Sequence, residues 1–166
     1  MYAASVIVGG CVSSRFYVSQ ARDEGKSRPR AVSPVSRSRS TSPARRPYIL
    51  IVEDHDDTRE ALKLLLELQG YDVRAARDGV EALTYVNETP PDVVITDYDM
   101  PRLDGAGLAR EIRARADRLG HLPILVLTAL GQGLVKAAMD AGADAYIAKP
   151  VDFHTLETTL RMFVSR

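Results

Sequence analysis

Four short apolar runs stand out in the second part of the chain, and each is followed by a polar or charged residue. The runs are Ile49-Leu50-Ile51-Val52, Val93-Val94-Ile95-Thr96, Ile124-Leu125-Val126-Leu127 and Tyr146-Ile147-Ala148. Short uninterrupted runs of this kind are typical of strands in a parallel sheet that helices cover on both faces. The pattern therefore predicts a sheet of buried parallel strands.

Helical patterns alternate with the strands at the spacing of βαβ units, which favours an α/β fold with helices on both faces of the sheet. The predicted strands are residues 48–53, 72–76, 92–97, 123–128 and 145–148. The predicted helices are residues 58–69, 105–116 and 133–141, one from 78 to before Pro90 and one from about 152 onward. The second strand carries Asp72 and Arg74 and the fifth is short, so both suit sheet edges. We predict a doubly wound sheet with the strand order 2-1-3-4-5.

Local signals mark the ends of two predicted helices. Asp57 with Glu60, and Asp78 with Glu81, have the spacing of a capping box, in which each side chain bonds to the other residue's main-chain N–H. Gly70 is expected to end the first helix. The apolar residues that we expect on the buried face of that helix are Ala61, Leu62, Leu65 and Leu68.

The charge is distributed unevenly along the chain. Residues 1–47 contain nine Lys/Arg and two Asp/Glu, whereas residues 48–166 contain thirteen and twenty, so the two parts carry +7 and −7. The first part is rich in Ser, Arg and Pro, and we predict a disordered extension over 1–47 and a folded domain over 48–166. An acidic domain is a poor match for nucleic acid. The single cysteine excludes an internal disulfide, and no apolar run is long enough to span a membrane, so we expect a cytoplasmic protein without a membrane partner.

Polar groups at the strand ends suggest a site. The carboxyl ends of parallel strands share one edge of the sheet, where ligands bind. The residues expected there are Glu53, Asp54, Asp97, Thr128 and Lys149. Two carboxylates 4 Å apart repel by about 4 kcal/mol at an effective dielectric constant of 20. Either one is protonated or a cation lies among them. Oxygen ligands favour Mg²⁺, Ca²⁺ or Mn²⁺, and Mg²⁺ fits a site with carboxylates and a phosphoryl oxygen best.

A carboxylate beside Mg²⁺ can attack phosphorus and form an aspartyl-phosphate. Asp97, on the central strand, is the best candidate nucleophile. Lys149 would neutralise one phosphoryl oxygen, and the Thr128 hydroxyl would donate a hydrogen bond to another. Each residue also has a simpler interpretation: Asp54 as a helix cap, Asp97 and Asp99 as turn residues. Their joint occurrence at four strand ends favours a common site.

Four segments resemble the receiver domain of two-component response regulators. They are ILIVED at 49–54, DVVITDYDMPRLDG at 92–105, LTA at 127–129 and AGADAYIAKP at 141–150. Their order and spacing are those of the family, and the resemblance extends from Tyr48 to about Val164. It implies the flavodoxin-like receiver fold and a cis bond between Lys149 and Pro150.

The resemblance also implies roles. Asp97 would accept a phosphoryl group from a sensor histidine kinase or a phosphotransfer protein. Thr128 and Tyr146 would act as switch residues that reshape the face of the fourth helix, fifth strand and fifth helix. The implied Mg²⁺ ligands are Glu53 (directly or through water), Asp54, Asp97 and the main-chain carbonyl of Asp99.

The sequence ends after the last predicted helix, at Arg166. We therefore expect a stand-alone receiver, monomeric or weakly dimeric, that signals to an unknown downstream protein and not through sequence-specific DNA binding. Such a protein is not an enzyme beyond its own phosphorylation and dephosphorylation.

Three alternatives stay open at this point. Asp97-Tyr98-Asp99 has the Asp-x-Asp spacing of haloacid-dehalogenase-type phosphatases, although that family has its acidic pair near the chain end. A degenerate receiver could serve for docking alone, but its usual mark, loss of the acceptor or the lysine, is absent. The basic extension could bind RNA or DNA, which deletion of residues 1–47 would test.

Overall fold

The computed structural model describes residues 45–164 apart from Gly120 and Leu130. The prediction of a disordered extension falls almost entirely outside these residues. Five parallel strands form one sheet in the order β2-β1-β3-β4-β5, as predicted. The strands are β1 (Tyr48–Val52), β2 (Asp72–Ala76), β3 (Val93–Asp97), β4 (Ile124–Thr128) and β5 (Ala145–Ala148). The helices are α1 (Asp56–Leu68), α2 (Gly79–Glu88), α3 (Gly105–Arg113), α4 (Ala116–Leu119), α5 (Gln132–Asp140) and α6 (Phe153–Val164).

Helices cover the sheet on both faces and form two apolar cores. Every residue of β1, β3 and β4 is buried, which explains why these strands are apolar up to their polar carboxyl ends. One core packs α2, α3 and α5 against the sheet through residues such as Val86, Ile112 and Ala138. The other packs α1 and α6 through Leu66 and Leu160. None of the described helices combines the length and apolar character that a membrane crossing requires.

The start of α1 differs from the prediction. The helix begins at Asp56, and its N-cap residue is His55, whose side chain makes no capping hydrogen bond. The predicted capping box of Asp57 and Glu60 is therefore wrong. Gly70, with φ +90°, follows the helix as predicted, since this left-handed conformation suits glycine.

The buried face of α1 also differs from the prediction. Leu66 is fully buried and Leu62 packs beside it, whereas Leu65 and Leu68 are 41% and 74% exposed. Ala61 is exposed as well. Leucines occupy so many consecutive positions that the helix has more than one apolar stripe, and only contact with the sheet selects between them.

The other helices follow the predictions with smaller corrections. Asp78 caps α2, because its Oδ1 accepts from the main-chain N–H groups of Val80 and Glu81, both at 2.9 Å. Glu81 accepts from the main-chain N–H of Arg77 and not from that of Asp78. The third helix, which the sequence predicts to reach about residue 116, ends at Arg113, where a turn leads into α4.

Candidate functional site

The sheet register brings the polar ends of four strands to one level. Val52 pairs with Thr96, Asp97 with Leu127 and Thr128 with Ala148. These pairs place Glu53 directly after β1, Asp97 at the end of β3, Thr128 at the end of β4 and Lys149 directly after β5. These four residues therefore lie at one edge of the sheet, where the sequence predicts the site.

Lys149 joins the two buried carboxylates. Its Nζ lies 2.8 Å from Asp97 Oδ2 and 3.4 Å from Glu53 Oε2. The Asp97 and Glu53 side chains are 7% and 1% exposed. Partial burial lowers the pKa of Lys149. The hydrogen bond and charge of Asp97, with a contribution from Glu53, together raise this pKa by more than burial lowers it, so the net shift is upward. Lys149 is therefore a cation held at the phosphoacceptor candidate.

Asp54 enters the site through a residue that the sequence analysis missed. The Nδ1 atom of His55 lies 3.0 Å from Asp54 Oδ1 and 3.3 Å from Glu53 Oε1. The negative charge of Asp54 raises the pKa of His55, and hydrogen bonds to both carboxylates add to the effect. A histidine directly after the acidic pair was visible in the sequence, but nothing in the local pattern showed where its ring points.

Arg59 is a second residue that the sequence analysis missed. Its Nη1 donates a 2.9 Å hydrogen bond to the main-chain carbonyl of Glu53, and its Nη2 forms an ion pair with Asp56. The side chain is only 14% exposed. Arg59 therefore holds the backbone of the acidic segment in place from the first turns of α1.

Thr128 and Lys149 are joined by the main chain. The Lys149 N–H donates to the carbonyl of Thr128 at 2.8 Å, and the Thr128 hydroxyl donates to the carbonyl of Ala129 at 3.1 Å. Thr128 is buried. Tyr146 is half-buried in β5 and Asp99 is exposed in the loop after β3. The peptide bond between Lys149 and Pro150 is cis, as predicted.

The loop between β3 and α3 packs tightly around the candidate phosphoacceptor. Asp97 Oδ1 accepts from the main-chain N–H of Tyr98 at 2.7 Å. A β-carbon at Gly105 would overlap the main-chain carbonyl of Asp97, and one at Gly79 would lie 2.7 Å from the carbonyl oxygen of Leu103. Glycine at these two positions lets the loop approach both the start of α2 and the end of β3.

The donor set fits a divalent cation. Glu53, Asp54 and His55 each offer one ligand atom, and these atoms lie within 4.8 Å of one another. Lys149 contacts both the Asp97 and the Glu53 carboxylates, so two buried carboxylates share one lysine. A hard cation with oxygen ligands would offset the remaining negative charge.

Comparisons with known proteins agree with this geometry. Residues 49–161 match the family model of the response regulator receiver domain. The response regulator MprA of Mycobacterium sp. (strain KMS) is 43% identical over 119 residues, which cover 71% of this chain and 50% of that protein. The chain thus spans about half the length of the curated relatives it matches.

Solved structures show the same similarity. The signal receiver domain of a signal transduction histidine kinase from Syntrophus aciditrophicus is 36% identical, with a TM-score of 0.67 and coverage of 72% of this chain and 90% of that one. The receiver domain of the Saccharomyces cerevisiae response regulator Ssk1, solved with the histidine phosphotransfer protein Ypd1, is 26% identical, with a TM-score of 0.66 and coverage of 71% and 88%. The chain belongs to the response regulator receiver domain family.

Proposed function

We propose that this receiver domain is the phosphoacceptor of a two-component phosphorelay and that Asp97 is the residue phosphorylated. The contact between Lys149 Nζ and Asp97 Oδ2, at 2.8 Å, carries the proposal. A charge-assisted hydrogen bond holds the carboxylate at the one edge where the strand ends converge. A docking-only receiver has no need of this paired acid and lysine, and a haloacid-dehalogenase-type phosphatase finds no support in the family match.

The reaction is a phosphoryl transfer between two side chains. A carboxylate oxygen of Asp97 forms a bond to phosphorus while the bond from phosphorus to the donor's imidazole nitrogen breaks, and the donor nitrogen keeps the electron pair. Lys149 stabilises the charge on the transferred group, and the Thr128 hydroxyl donates to it in place of the Ala129 carbonyl. Water later cleaves the acyl phosphate and releases inorganic phosphate. The domain thus catalyses only its own phosphorylation and dephosphorylation.

Receiver domains generally bind Mg²⁺, and the residues of this site suit that ion. The residues that would hold it are Glu53 (directly or through water), Asp54, Asp97 and the main-chain carbonyl of Asp99. When bound, Mg²⁺ would neutralise charge on the carboxylates and on the incoming phosphoryl group. Lys149 and Arg59 keep the acidic segment and Asp97 in position for it.

The phosphoryl donor is a sensor histidine kinase or a phosphotransfer protein, as in the complex of Ssk1 with Ypd1. An open groove beside the site runs between α1 and the segment after β5. Residues from both sides line it, including Asp57, Leu62, Leu65, Lys149 and Val151. Next to it, α1 exposes Leu64 and Leu68 by 58% and 74%. A helix of the donor laid on α1 would cover these leucines and bring its histidine to Asp97.

The output is a protein contact on the face formed by α5, β5 and α6. Thr128 reaches the phosphoryl group, and Tyr146 lies in β5 two residues before Ala148, which pairs with Thr128. Phosphorylation alters affinity for a downstream protein only if that protein prefers one of two conformations of this face. The acidic charge of residues 48–166 makes sequence-specific DNA binding by this domain unfavourable.

Phosphorylation by acetyl phosphate tests the proposal. The parent chain, Asp97→Asn and Asp99→Asn are incubated with acetyl phosphate and Mg²⁺, and intact mass counts the phosphates added. Asp99 is a matched control because it is exposed and only two residues away. We expect one phosphate on the parent and on Asp99→Asn, and none on Asp97→Asn. Full labelling of Asp97→Asn would show that another residue is the acceptor.

A capture experiment tests the partners. Phosphorylated protein and Asp97→Asn are each used to recover binding proteins, and we expect a kinase, a phosphotransfer protein or a downstream target to differ between the two. Equal recovery in both states, together with tight sequence-specific DNA binding by the full chain, would favour the basic extension as the functional element.

A further inference from the structure

The geometry points to His55 as a nitrogen ligand of the divalent cation, so that the site selects a first-row transition ion such as Mn²⁺ over Mg²⁺. The inference rests on the proposed function, because it concerns the metal of that same site. His55 lies beside the acidic pair, and its nitrogen would change the class of ion that the site prefers.

The distances fit ligation. Atoms at adjacent corners of an octahedron around an ion at about 2.1 Å are about 3 Å apart. His55 Nδ1 is 3.0 Å from Asp54 Oδ1 and 3.3 Å from Glu53 Oε1. Without an ion, the same approach is a hydrogen bond between the ring and the carboxylates. An ion that replaced the ring proton would lie to one side of the line joining the nitrogen and the carboxylate oxygen, about 2.1 Å from each.

The position of His55 in the fold supports this orientation. His55 is the N-cap residue of α1, where Ser, Thr, Asp or Asn usually accept hydrogen bonds from the free N–H groups of the first turn. Its side chain makes no such bond and turns toward Asp54 and Glu53. The imidazole is therefore directed at the two carboxylates and not at the helix end. The ring is 75% exposed, so an ion can reach it from solvent.

The type of ligand atom decides which ion binds more tightly when His55 is a ligand. Imidazole nitrogen is a common ligand of transition ions, whereas Mg²⁺ prefers oxygen from carboxylates, carbonyls and water. Replacing one water by imidazole therefore strengthens the binding of Mn²⁺ and contributes little to that of Mg²⁺. Mn²⁺ is the best probe, because it accepts carboxylates and octahedral geometry and is paramagnetic.

Pulsed electron paramagnetic resonance of bound Mn²⁺ tests the inference directly. The full chain without a histidine tag is loaded with Mn²⁺, and nitrogen coupling to the ion is measured by electron spin echo modulation. We expect coupling to one imidazole nitrogen in the parent and its loss in His55→Ala. Dissociation constants for Mn²⁺ and Mg²⁺ are measured on the same variants. The expected change is an approximately tenfold weaker Mn²⁺ affinity and an Mg²⁺ affinity within about a factor of two.

His121→Ala is the matched control. His121 is similarly exposed, and its Nε2 lies 2.7 Å from Asp144 Oδ1, before β5 and away from the strand ends that form the site. We expect its substitution to leave both the nitrogen coupling and the two affinities unchanged. Melting temperatures in the presence of EDTA verify that both variants are folded.

The outcomes separate this inference from the proposed function. Bound Mn²⁺ without nitrogen coupling in the parent would overturn the inference, even where Asp97 is phosphorylated normally. Equal weakening of Mn²⁺ and Mg²⁺ in His55→Ala would also overturn it, since it would show only a general effect on the site. Nitrogen coupling that depends on His55 would support it, whether or not Asp97 is labelled.

Discussion

The buried carboxylate of Asp78 lies against the guanidinium of Arg102. Asp78 is 1% exposed. Its Oδ2 forms the ion pair with Arg102, but it accepts no hydrogen bond of regular geometry from the described residues. Arg102 has φ +70°, a left-handed conformation that is unusual outside glycine. The pair connects the loop after β3 to the start of α2, so it helps to hold the segment that contains Asp99.

We expect Arg102→Ala to lower the free energy of unfolding by about 1–2 kcal/mol, below the usual cost of breaking a buried pair because the arginine side chain is half-exposed. Arg102→Gly should be less harmful than Arg102→Ala by about 1 kcal/mol, because glycine adopts the left-handed conformation freely. Urea unfolding measures both. Equal stability of the two variants would show that the backbone conformation carries no cost.

Gly105→Ala should destabilise the domain by about 2 kcal/mol or more, because the new methyl group would overlap the carbonyl of Asp97. It should also slow phosphorylation, since the carbonyl belongs to the acceptor residue. Gly133→Ala is the control: among the described residues outside its own helix turn, no atom lies within 4 Å of the added carbon. It lies in α5, where alanine is preferred by up to about 1 kcal/mol. If both substitutions had the same effect, the close approach at Gly105 would not matter.

Millimolar Mg²⁺ should raise the melting temperature, because an ion that binds only the folded state stabilises it. A concentration 100 times the dissociation constant contributes about 2.7 kcal/mol. Asp54→Ala should abolish most of the rise, whereas Glu60→Ala, an exposed acid on α1, should not. The same rise in Asp54→Ala and in the parent would contradict the assignment of Asp54 to the metal site.

Removing residues 1–44 should leave the melting temperature and the phosphorylation of Asp97 unchanged, because those residues carry no core periodicity. Removing residues 1–47 should cost about 1 kcal/mol, since the carbonyl of Pro47 accepts a 2.9 Å hydrogen bond from the Asp72 N–H. Circular dichroism and labelling compare the two truncations. Loss of cooperative unfolding in the shorter deletion would show that the basic extension packs on the domain.

The strands and their order could be predicted because burial on both faces leaves a plain signal in the sequence. The runs that became β1, β3 and β4 are apolar at nearly every position, and the polar residues Asp72 and Arg74 mark an edge strand. The residues that follow the strands, Glu53, Asp97 and Lys149, then meet as a consequence of topology. Contacts decided by the rest of the fold could not be predicted in this way.

Two of the errors have a long-range cause. The buried face of α1 depends on how the helix sits on the sheet, and the leucines of its sequence fit more than one choice. The third helix ends at Arg113, whose guanidinium donates to the carbonyls of Leu122 and Gly142 and pairs with Asp144. Those partners are 9 to 31 residues away in the sequence, so no local pattern predicts these contacts.

The complete burial of β3 has a consequence for insertions and deletions. In a strand with one exposed face, a slip by one residue brings apolar side chains into water, and this penalty fixes the alignment. All five residues of β3 are buried, so hydrophobicity alone does not distinguish one alignment from the next. The polar residue at its end must do so. Loss of one residue from positions 93–96 would keep an apolar strand but turn Asp97 away from Lys149. The register of this strand in the sheet is therefore as important as its composition.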